Sequence, residues 1–273
     1  MVKVLVIAAF VLTSLFAKVN YKEELTTTIK GLIGERTYNA NKAYIKMLFS
    51  PTKRYFRHNH PNNVLIVKTL QENGLLKLFF NKPKELQLRF IANTSPTLFI
   101  KVLGDSLRSM GYYRYVTRSS SFDTSEFEWN ISLVSEYAID PSMFEKELAK
   151  RGAYIVSIAR ETPFKWEYKI NMDNAHLKTV PLSREIKKLK RSLAPYWGNV
   201  AYRKKLIIQS GGRNSWHPYI AFYDRYLHLI KLVQSKKKTK YLALNVPKGS
   251  KYVKIADIYT MKNLKDGLEV VAK

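Results

Sequence analysis

Alternating apolar and polar residues in the middle of the chain predict two strands, each followed by a helix and another strand. The apolar positions of the first strand are Leu86, Leu88, Phe90 and Ala92. The apolar positions of the second are Phe127, Trp129, Ile131 and Leu133. A period of two residues indicates a strand with one face on a core. The strand–helix–strand pattern therefore occurs twice in tandem.

Both helices of this repeat have matching start and stop signals. One opens at Pro96 and closes on Gly111, and the other opens at Pro141 and closes on Gly152. Proline suits the first helical turn, and glycine accepts the left-handed conformation after a helix end. Two tandem β-α-β units predict a ferredoxin-like split βαβ domain over 83–173, with both helices on one face of an antiparallel sheet. Its last segment alternates as a fifth strand that pairs as a hairpin.

The chain before this domain, residues 18–82, has a mainly helical pattern. Apolar residues at helical spacing predict one helix over 35–49 and another from Pro61 to Gly74. Residues 75–80 form a short apolar run, which favours a strand.

The chain after it consists of a basic linker over 174–198 and a β-sandwich over 199–273. In the linker, 183–191 is predicted as an exposed helical turn or two. The sandwich is predicted from short apolar runs with turn residues between them. These runs are 205–210, 219–223, 227–233, 240–246, 252–255 and 268–271. The predicted fold class is α+β, with helices before a ferredoxin-like domain and a jelly-roll-like sandwich after it.

The first residues predict where the protein works. Lys3 precedes a mainly apolar run over 4–16, which contains Thr13 and Ser14, and Ala17 follows it. A short apolar stretch between a basic and a small residue is typical of a secretory signal peptide, here 1–17, and it is shorter than the roughly 20 residues that cross a bilayer. An uncleaved anchor, an N-terminal amphipathic helix and a cytoplasmic protein are the alternatives. We therefore expect a soluble periplasmic or secreted protein without a transmembrane span.

The net charge of +26 is unevenly distributed along the chain. Residues 178–273 carry 22 Lys and Arg against 5 Asp and Glu, whereas the rest carries 25 against 16. A field of this size attracts polyanions. For an exported protein the expected partner is an anionic envelope polymer or an acidic glycan, and nucleic acid is not expected. A source organism whose proteins are generally basic would explain the charge without a partner.

Two short motifs lie in the C-terminal third. Residues 219–224 read YIAFYD, and residues 245–255 read NVPKGSKYVKI. An I-x-F-Y-D strand followed by a P-x-G-x-x-Y strand resembles the galactose-binding-like jelly-roll modules of exported and surface proteins. The resemblance implies a sandwich in which the Pro-Lys-Gly turn delivers Tyr252 to the core. It also implies a carbohydrate- or surface-binding role, although many such modules serve only as spacers.

Aromatic and basic residues of this region form the candidate binding site. If Ile220 and Phe222 face the core, the tyrosines beside them face outward, and sugar rings stack on exposed aromatic faces. The candidate platform, with one arginine to contact an acidic group, consists of Trp216, Tyr219, Tyr223, Tyr196, Trp197 and Arg213. The basic residues at a loop tip, either solvated or an anion contact, are Lys236, Lys237 and Lys238. The alternative is that the aromatic residues pack against the middle domain or the linker.

The sequence offers little for catalysis. The absence of cysteine excludes disulfides and thiolate catalysis, and no nucleotide-binding, serine-hydrolase or metalloprotease motif occurs. His58 and His60 form the only close histidine pair, and without a carboxylate beside them we expect no metal site. The glutamate pairs expected to be solvated rather than catalytic are Glu126 with Glu128 and Glu145 with Glu147.

The resulting hypothesis is an exported, non-catalytic protein that binds an anionic glycan or wall component through its basic sandwich. An envelope protein–protein adaptor, whose middle sheet docks a partner, is the second hypothesis. An uncharacterised hydrolase is the third. No catalytic residue, cofactor or metal is assigned.

Overall fold

The computed structural model describes residues 20–57, 59–123 and 125–273. The predicted signal peptide and His58 lie outside these residues. Within them, no helix combines the length and apolarity needed to cross a membrane. The protein is a mixed α/β structure with several sheets. The helices are α1 (Tyr21–Ile33), α2 (Glu35–Ala40), α3 (Lys42–Leu48), α4 (Asn63–Glu72), α5 (Pro96–Ser109) and α6 (Pro141–Ala149).

The strands form a two-stranded ribbon and three larger sheets. The strands of the first two are β1 (Phe56–Arg57), β2 (His60–Pro61), β3 (Phe79–Ala92), β4 (Val116–Asp123), β5 (Glu126–Tyr137), β6 (Tyr154–Thr162) and β7 (Lys165–Asn171). The strands of the other two sheets are β8 (Val180–Pro181), β9 (Lys187–Leu189), β10 (Tyr196–Asn199), β11 (Lys205–Ser210), β12 (Pro218–Tyr223), β13 (Leu229–Gln234), β14 (Tyr241–Asn245), β15 (Tyr252–Asp257) and β16 (Leu268–Ala272).

The middle sheet has the strand order β4-β5-β3-β7-β6. The predicted alternation is confirmed, since Phe90 and Trp129 are almost fully buried. Helices α5 and α6 cover this buried face. The ring centroid of Phe90 lies 5.8 Å from that of Phe144 on α6, and Phe99 on α5 lies 5.8 Å from Phe127. Both repeat helices therefore pack on one face of the sheet, as their apolar stripes predicted.

The prediction that this sheet is antiparallel throughout is wrong at one position. Strand β7 forms the expected hairpin with β6, but it also pairs in parallel with β3. It therefore lies between β3 and β6. Its inward residues Trp166, Tyr168 and Ile170 are nearly inaccessible. Burial of apolar surface is worth roughly 25 cal/mol per Å². A central position buries these large side chains more completely than an edge position would.

The N-terminal helices share the core of the middle sheet, which we call the first core. Leu25 and Ile29 of α1 and Ile66 of α4 belong to the same buried cluster as Phe90. The helices contact β6 and α6 at the edge of the sheet. At this edge Arg160 of β6 donates a hydrogen bond from Nη1 to the carbonyl oxygen of Leu32 (2.7 Å).

Two local predictions for this segment need correction. The helix predicted over 35–49 is two helices, α2 and α3, which are separated at Asn41. The side-chain amide of Asn41 donates to the carbonyl oxygen of Thr37 (2.9 Å), a local bond that competes with regular helix. The strand predicted over 75–80 starts only at Phe79, where it is the first part of β3.

The C-terminal part contains two sheets that pack face to face, which we call the two-sheet unit. Their strand orders are β13-β12-β15-β10-β8 and β14-β11-β16-β9. The short strands predicted here are confirmed to within about two residues at their ends. Ile208 and Val270 from one sheet and Ile220 and Phe222 from the other fill a second core. The predicted inward orientation of Ile220 and Phe222 is therefore confirmed.

The stretch predicted as a basic linker contributes strands β8, β9 and β10 to the two-sheet unit. Strand β9 pairs with β16, so the helical turn expected here is wrong. Leu189 lies in the second core, whereas Lys187 and Lys188 are exposed. The burial of this one leucine explains why so basic a stretch forms a strand.

One end of the two-sheet unit contacts the first core around Tyr252. Tyr252, delivered by the Pro-Lys-Gly turn, is buried in the first core rather than the second. Its hydroxyl accepts a hydrogen bond from the backbone N–H of Leu177 (3.3 Å). Nearby, Arg225 donates from Nη2 to the carbonyl oxygen of Asp173 (3.2 Å). We call this contact region the junction.

Candidate functional site

Four loops meet at the end of the two-sheet unit opposite the junction. They comprise residues 190–195, 211–217, 235–240 and 258–267, and each connects a strand of one sheet to a strand of the other. The strand registers bring them together, because the strands on either side of these loops start or end side by side. We call this set of loops the loop end.

The loop end carries nine Lys and Arg against a single Asp. The three loops at the other end of the unit, 200–204, 224–228 and 246–251, carry five against one. At the loop end Arg213 pairs with Asp266, with Nε 2.7 Å from Oδ1. Among the described residues, no carboxylate lies within 4.0 Å of the other eight cationic groups. These are Lys190, Arg191, Lys236, Lys237, Lys238, Lys240, Lys262 and Lys265.

Asp257, at the end of β15, fixes the shape of the loop that follows it. Its carboxylate accepts hydrogen bonds from the backbone N–H groups of His217 (2.7 Å), Tyr259 (2.9 Å) and Thr260 (3.0 Å) and from the amide of Asn263 (3.0 Å). Burial opposes ionisation of this side chain, but the hydrogen bonds outweigh it and hold the pKa of Asp257 below its ordinary value. Asp257 is therefore an ionised structural group.

Asn214 ties the loops together from inside. This side chain is 2% exposed, and its amide donates to the carbonyl oxygen of Gly267 (2.6 Å) and to Oγ of Ser210 (3.1 Å). Its Oδ1 accepts from the N–H of Asp266 (2.7 Å). Arg213, bonded to Asp266 from outside, lowers the pKa of that carboxyl. A three-way polar contact therefore joins loops 211–217 and 258–267.

The loop that carries the lysine run is attached at its C-terminal side. The N–H of Thr239 donates to the carbonyl oxygen of Trp216 (2.9 Å), and the carbonyl oxygen of Lys240 accepts from the N–H of Ser210 (2.8 Å). Lys236, Lys237 and Lys238 are exposed between these attachments and the end of β13. The lysines thus extend from a loop whose backbone is held by its neighbours.

Two of the predicted platform residues are buried and present no face to solvent. Trp216 is 0% exposed, and its indole N–H donates to the carbonyl oxygen of Ala256 (2.9 Å). Tyr196 is 8% exposed, and its hydroxyl donates to the carbonyl oxygen of Lys190 (2.7 Å). Burial raises the pKa of Tyr196. Both residues instead pack in the second core beneath the loop end.

Trp197, Tyr219 and Tyr223 lie together on the outer face of the five-stranded sheet. The rings of Trp197 and Tyr223 are 5.4 Å apart, and both pack against the first core. Burial, with a smaller contribution from Tyr219, raises the pKa of Tyr223. Lys101 of α5 places its Nζ 5.7 Å from the Trp197 ring centroid. Trp197 and Tyr223 therefore contact the first core beside the junction, whereas Tyr219 packs against the second core.

The structure adds two exposed tyrosines that the sequence interpretation passed over. Tyr259 in loop 258–267 is 62% exposed, and its ring meets His217 edge-on at 5.0 Å. Tyr241, the first residue after loop 235–240, is 59% exposed. Tyr241 directly follows Lys240, so alternation in β14 and proximity to the Lys run were its signals in the sequence.

The glutamates singled out in the sequence form ion pairs or structural hydrogen bonds. On the open face of the middle sheet, Glu128 pairs with Arg89 (2.5 Å), and Glu126 pairs with Lys169 (2.6 Å). Glu145 is not simply solvated, since it accepts from the N–H of Ile155 (2.6 Å) and burial raises its pKa. In the described part of the chain no three His, Asp or Glu residues are grouped to hold a metal ion.

The chemistry that the loop end offers is attraction of negative charge by a fixed cationic surface. Its one carboxylate, Asp266, and that of the adjoining Asp257 accept hydrogen bonds that hold the loops. Comparisons of the chain with protein-family models, curated proteins and solved structures found no match.

Proposed function

We propose that this protein is an exported, non-catalytic binding protein of the cell envelope whose loop end contacts an anionic glycan or wall component. The observation that carries the proposal is the set of eight cationic groups on three of the four loops, none of which has a carboxylate partner among the residues that the structure describes. The apolar segment near the N-terminus, with its single preceding lysine, supports export. The envelope is rich in polymers of the required charge.

The proposal includes the finer fold assignment. The two repeated strand–helix–strand units support a ferredoxin-like middle domain, although β7 lies where β6 would be expected. The facing sheets and the I-x-F-Y-D and P-x-G-x-x-Y strands support a galactose-binding-like jelly-roll for the two-sheet unit. In a sandwich of this kind, loops that connect opposite sheets are free to vary for binding without disturbing the core.

A polymer suits this surface better than a small anion. Each exposed lysine contributes only about 0.5 kcal/mol to an ion pair, because water and salt screen it. Several such contacts made by one polymer add up, because the entropy cost of bringing two molecules together is incurred only at the first contact. Release of counterions from the polymer then makes the affinity steeply dependent on salt.

The test is binding of the folded protein to immobilised polygalacturonate over a range of sodium chloride concentrations. The triple variant Lys236→Gln/Lys237→Gln/Lys238→Gln should bind about tenfold more weakly at low salt and show a shallower salt dependence. The matched control is Lys42→Gln/Lys46→Gln/Lys77→Gln, which removes the same charge from exposed lysines of the N-terminal half. Equal loss in both variants, or binding that ignores salt, would contradict the proposal.

A protein–protein adaptor is the second candidate, and one surface favours it. A cleft of about 720 Å³ at the end of the middle sheet is lined by Tyr113, Tyr137 and Met143, each more than half exposed. Phe79 packs on Tyr137, with ring centroids 5.2 Å apart. Recovery of one stoichiometric protein in a pull-down, with no binding to anionic polymer, would favour this function over the first.

A further inference from the structure

The outer face of the four-stranded sheet continues the loop end. Alternation in β14 directs Leu242 and Leu244 towards the second core and leaves Tyr241 on the outer face. In the register of the sheet, Tyr241 lies opposite Gln209, and Gln209 lies opposite Glu269. A row of one aromatic and two planar polar side chains therefore crosses the sheet directly below the lysine-bearing loop.

The same row ends in a charged pair on the edge strand. Glu269 lies opposite Lys188 of β9, with 3.5 Å between Oε1 and Nζ. The next row of the sheet is apolar and of low relief, because Ala243, Ile207 and Val271 are neighbours in register. The outer face is thus a flat strip of hydrogen-bonding groups beside a small apolar strip.

Tyr241 is held next to the cationic loop. It directly follows Lys240, whose carbonyl oxygen is bonded to the N–H of Ser210 on the neighbouring strand. The tyrosine side chain remains 59% exposed. A polymer bound to Lys236, Lys237 and Lys238 would therefore meet an aromatic ring and then planar polar groups as it crosses the sheet.

This combination distinguishes among anionic polymers. A sugar ring has an apolar C–H face that packs on an aromatic ring, and its hydroxyls exchange hydrogen bonds with amide and carboxylate groups. A polyphosphate or poly-glutamate has no such sugar ring to stack on the tyrosine. We propose that the ligand of the loop end is an acidic polysaccharide, with its carboxylates on the loop lysines and one sugar ring stacked on Tyr241. This inference rests on the proposed function and names its ligand class.

The experiment compares two probes, polygalacturonate and poly-glutamate of similar charge and length, at one fixed low salt concentration. Tyr241→Ala should weaken binding of polygalacturonate about fivefold and leave binding of poly-glutamate unchanged. Tyr241→Phe keeps the ring and should bind polygalacturonate nearly as well as the wild type. Tyr113→Ala, an exposed tyrosine of the other unit, is the matched control and should change neither affinity.

Each outcome has one meaning. Equal affinity of Tyr241→Ala and wild type for polygalacturonate, or an equal loss for both probes, overturns the stacking subsite and leaves the proposed function standing. Failure of the wild type to bind either polymer overturns the proposed function and this inference with it. Melting temperatures of the variants equal to that of the wild type confirm that the comparison concerns binding.

Discussion

Replacing Asn214 with alanine should destabilise the two-sheet unit and disorganise its loop end. The buried amide makes three hydrogen bonds, to Gly267, to Ser210 and to the N–H of Asp266. Alanine removes all three hydrogen bonds. The carbonyl of Gly267 and the N–H of Asp266 then lose their partner in a buried site, since the Asn214 side chain that bonds them is only 2% exposed. A hydrogen bond contributes about 1 kcal/mol net, and an unsatisfied buried group costs more. We therefore expect a loss of about 3 kcal/mol.

Urea unfolding followed by tryptophan fluorescence measures this loss, because Trp216 lies in the second core beside the affected loops. Far-ultraviolet circular dichroism recorded in parallel shows whether the two cores unfold in one transition. Asn39→Ala serves as the control, since Asn39 is exposed on α2. That substitution should change the free energy of unfolding by less than about 0.5 kcal/mol.

Asn214→Asp provides a sharper second comparison. Aspartate keeps an acceptor for the N–H of Asp266, but it loses the donation to the carbonyl oxygen of Gly267. It also buries a second negative charge beside Asp266. It should therefore be no more stable than Asn214→Ala. If either variant unfolds within about 0.5 kcal/mol of the wild type, the idea that this amide holds the loops is refuted.

Two further predictions concern the same scaffold. Gly267→Ala should lower the free energy of unfolding in urea by at least about 3 kcal/mol, because φ is +72° and a Cβ would overlap the carbonyl oxygen of Leu189. Gly212→Ala is the control, since a Cβ there has open space, and it should change the free energy of unfolding by less than about 0.5 kcal/mol. Similar losses in the two variants would contradict this. The pKa of Asp257 is held below its ordinary value of 3.8, so its ionisation contributes stability that is complete above about pH 5 and is lost as the pH falls below 3.8 towards the folded pKa. Asp257→Asn should therefore be less stable than the wild type at pH 7 and lose less stability between about pH 5 and pH 2, as measured by urea unfolding at several pH values; parallel pH profiles would contradict this.

Local patterns were sufficient to predict most strands and the two repeat helices. Alternation placed Phe90, Trp129, Ile220 and Phe222 on buried faces, and proline at the start of α5 and α6 marked their first turns. These features depend on neighbours within a few residues, which the sequence shows directly. The position of β7 between β3 and β6 depends on pairing between distant segments, which periodicity does not specify.

The candidate site divides in the same way. The run from Lys236 to Lys238 could be read from the sequence as a basic loop tip, and it is exposed in the structure. The platform residues could not be placed correctly, because Trp216 faces the second core and Trp197 faces the junction. Burial of an aromatic residue depends on which sheet its strand joins. Asn214 and Asp257 gave no sequence signal, since their role arises only where four separate loops meet.

Cationic side chains are paired differently on the open face of the middle sheet and at the loop end. On the open face of the middle sheet Arg89 lies between Glu128 (2.5 Å) and Glu167 (2.9 Å), and its neighbours are paired in the same manner. Interspersed charges of both signs limit repulsion and leave little field for a charged partner. At the loop end one pair, Arg213 with Asp266, is accompanied by eight cationic groups that have no such partner within the described part of the chain.

Repulsion among those eight groups works against the stability of the loops that carry them. The structure offsets it with neutral hydrogen bonds from Asn214 and with the caged carboxylate of Asp257, which neutralise none of the exposed lysines. Carboxylates placed among the lysines would relieve the repulsion more directly, as they do on the middle sheet. The loops thus keep a positive field although it lowers their stability. We expect such an arrangement where an anionic partner supplies the missing negative charge.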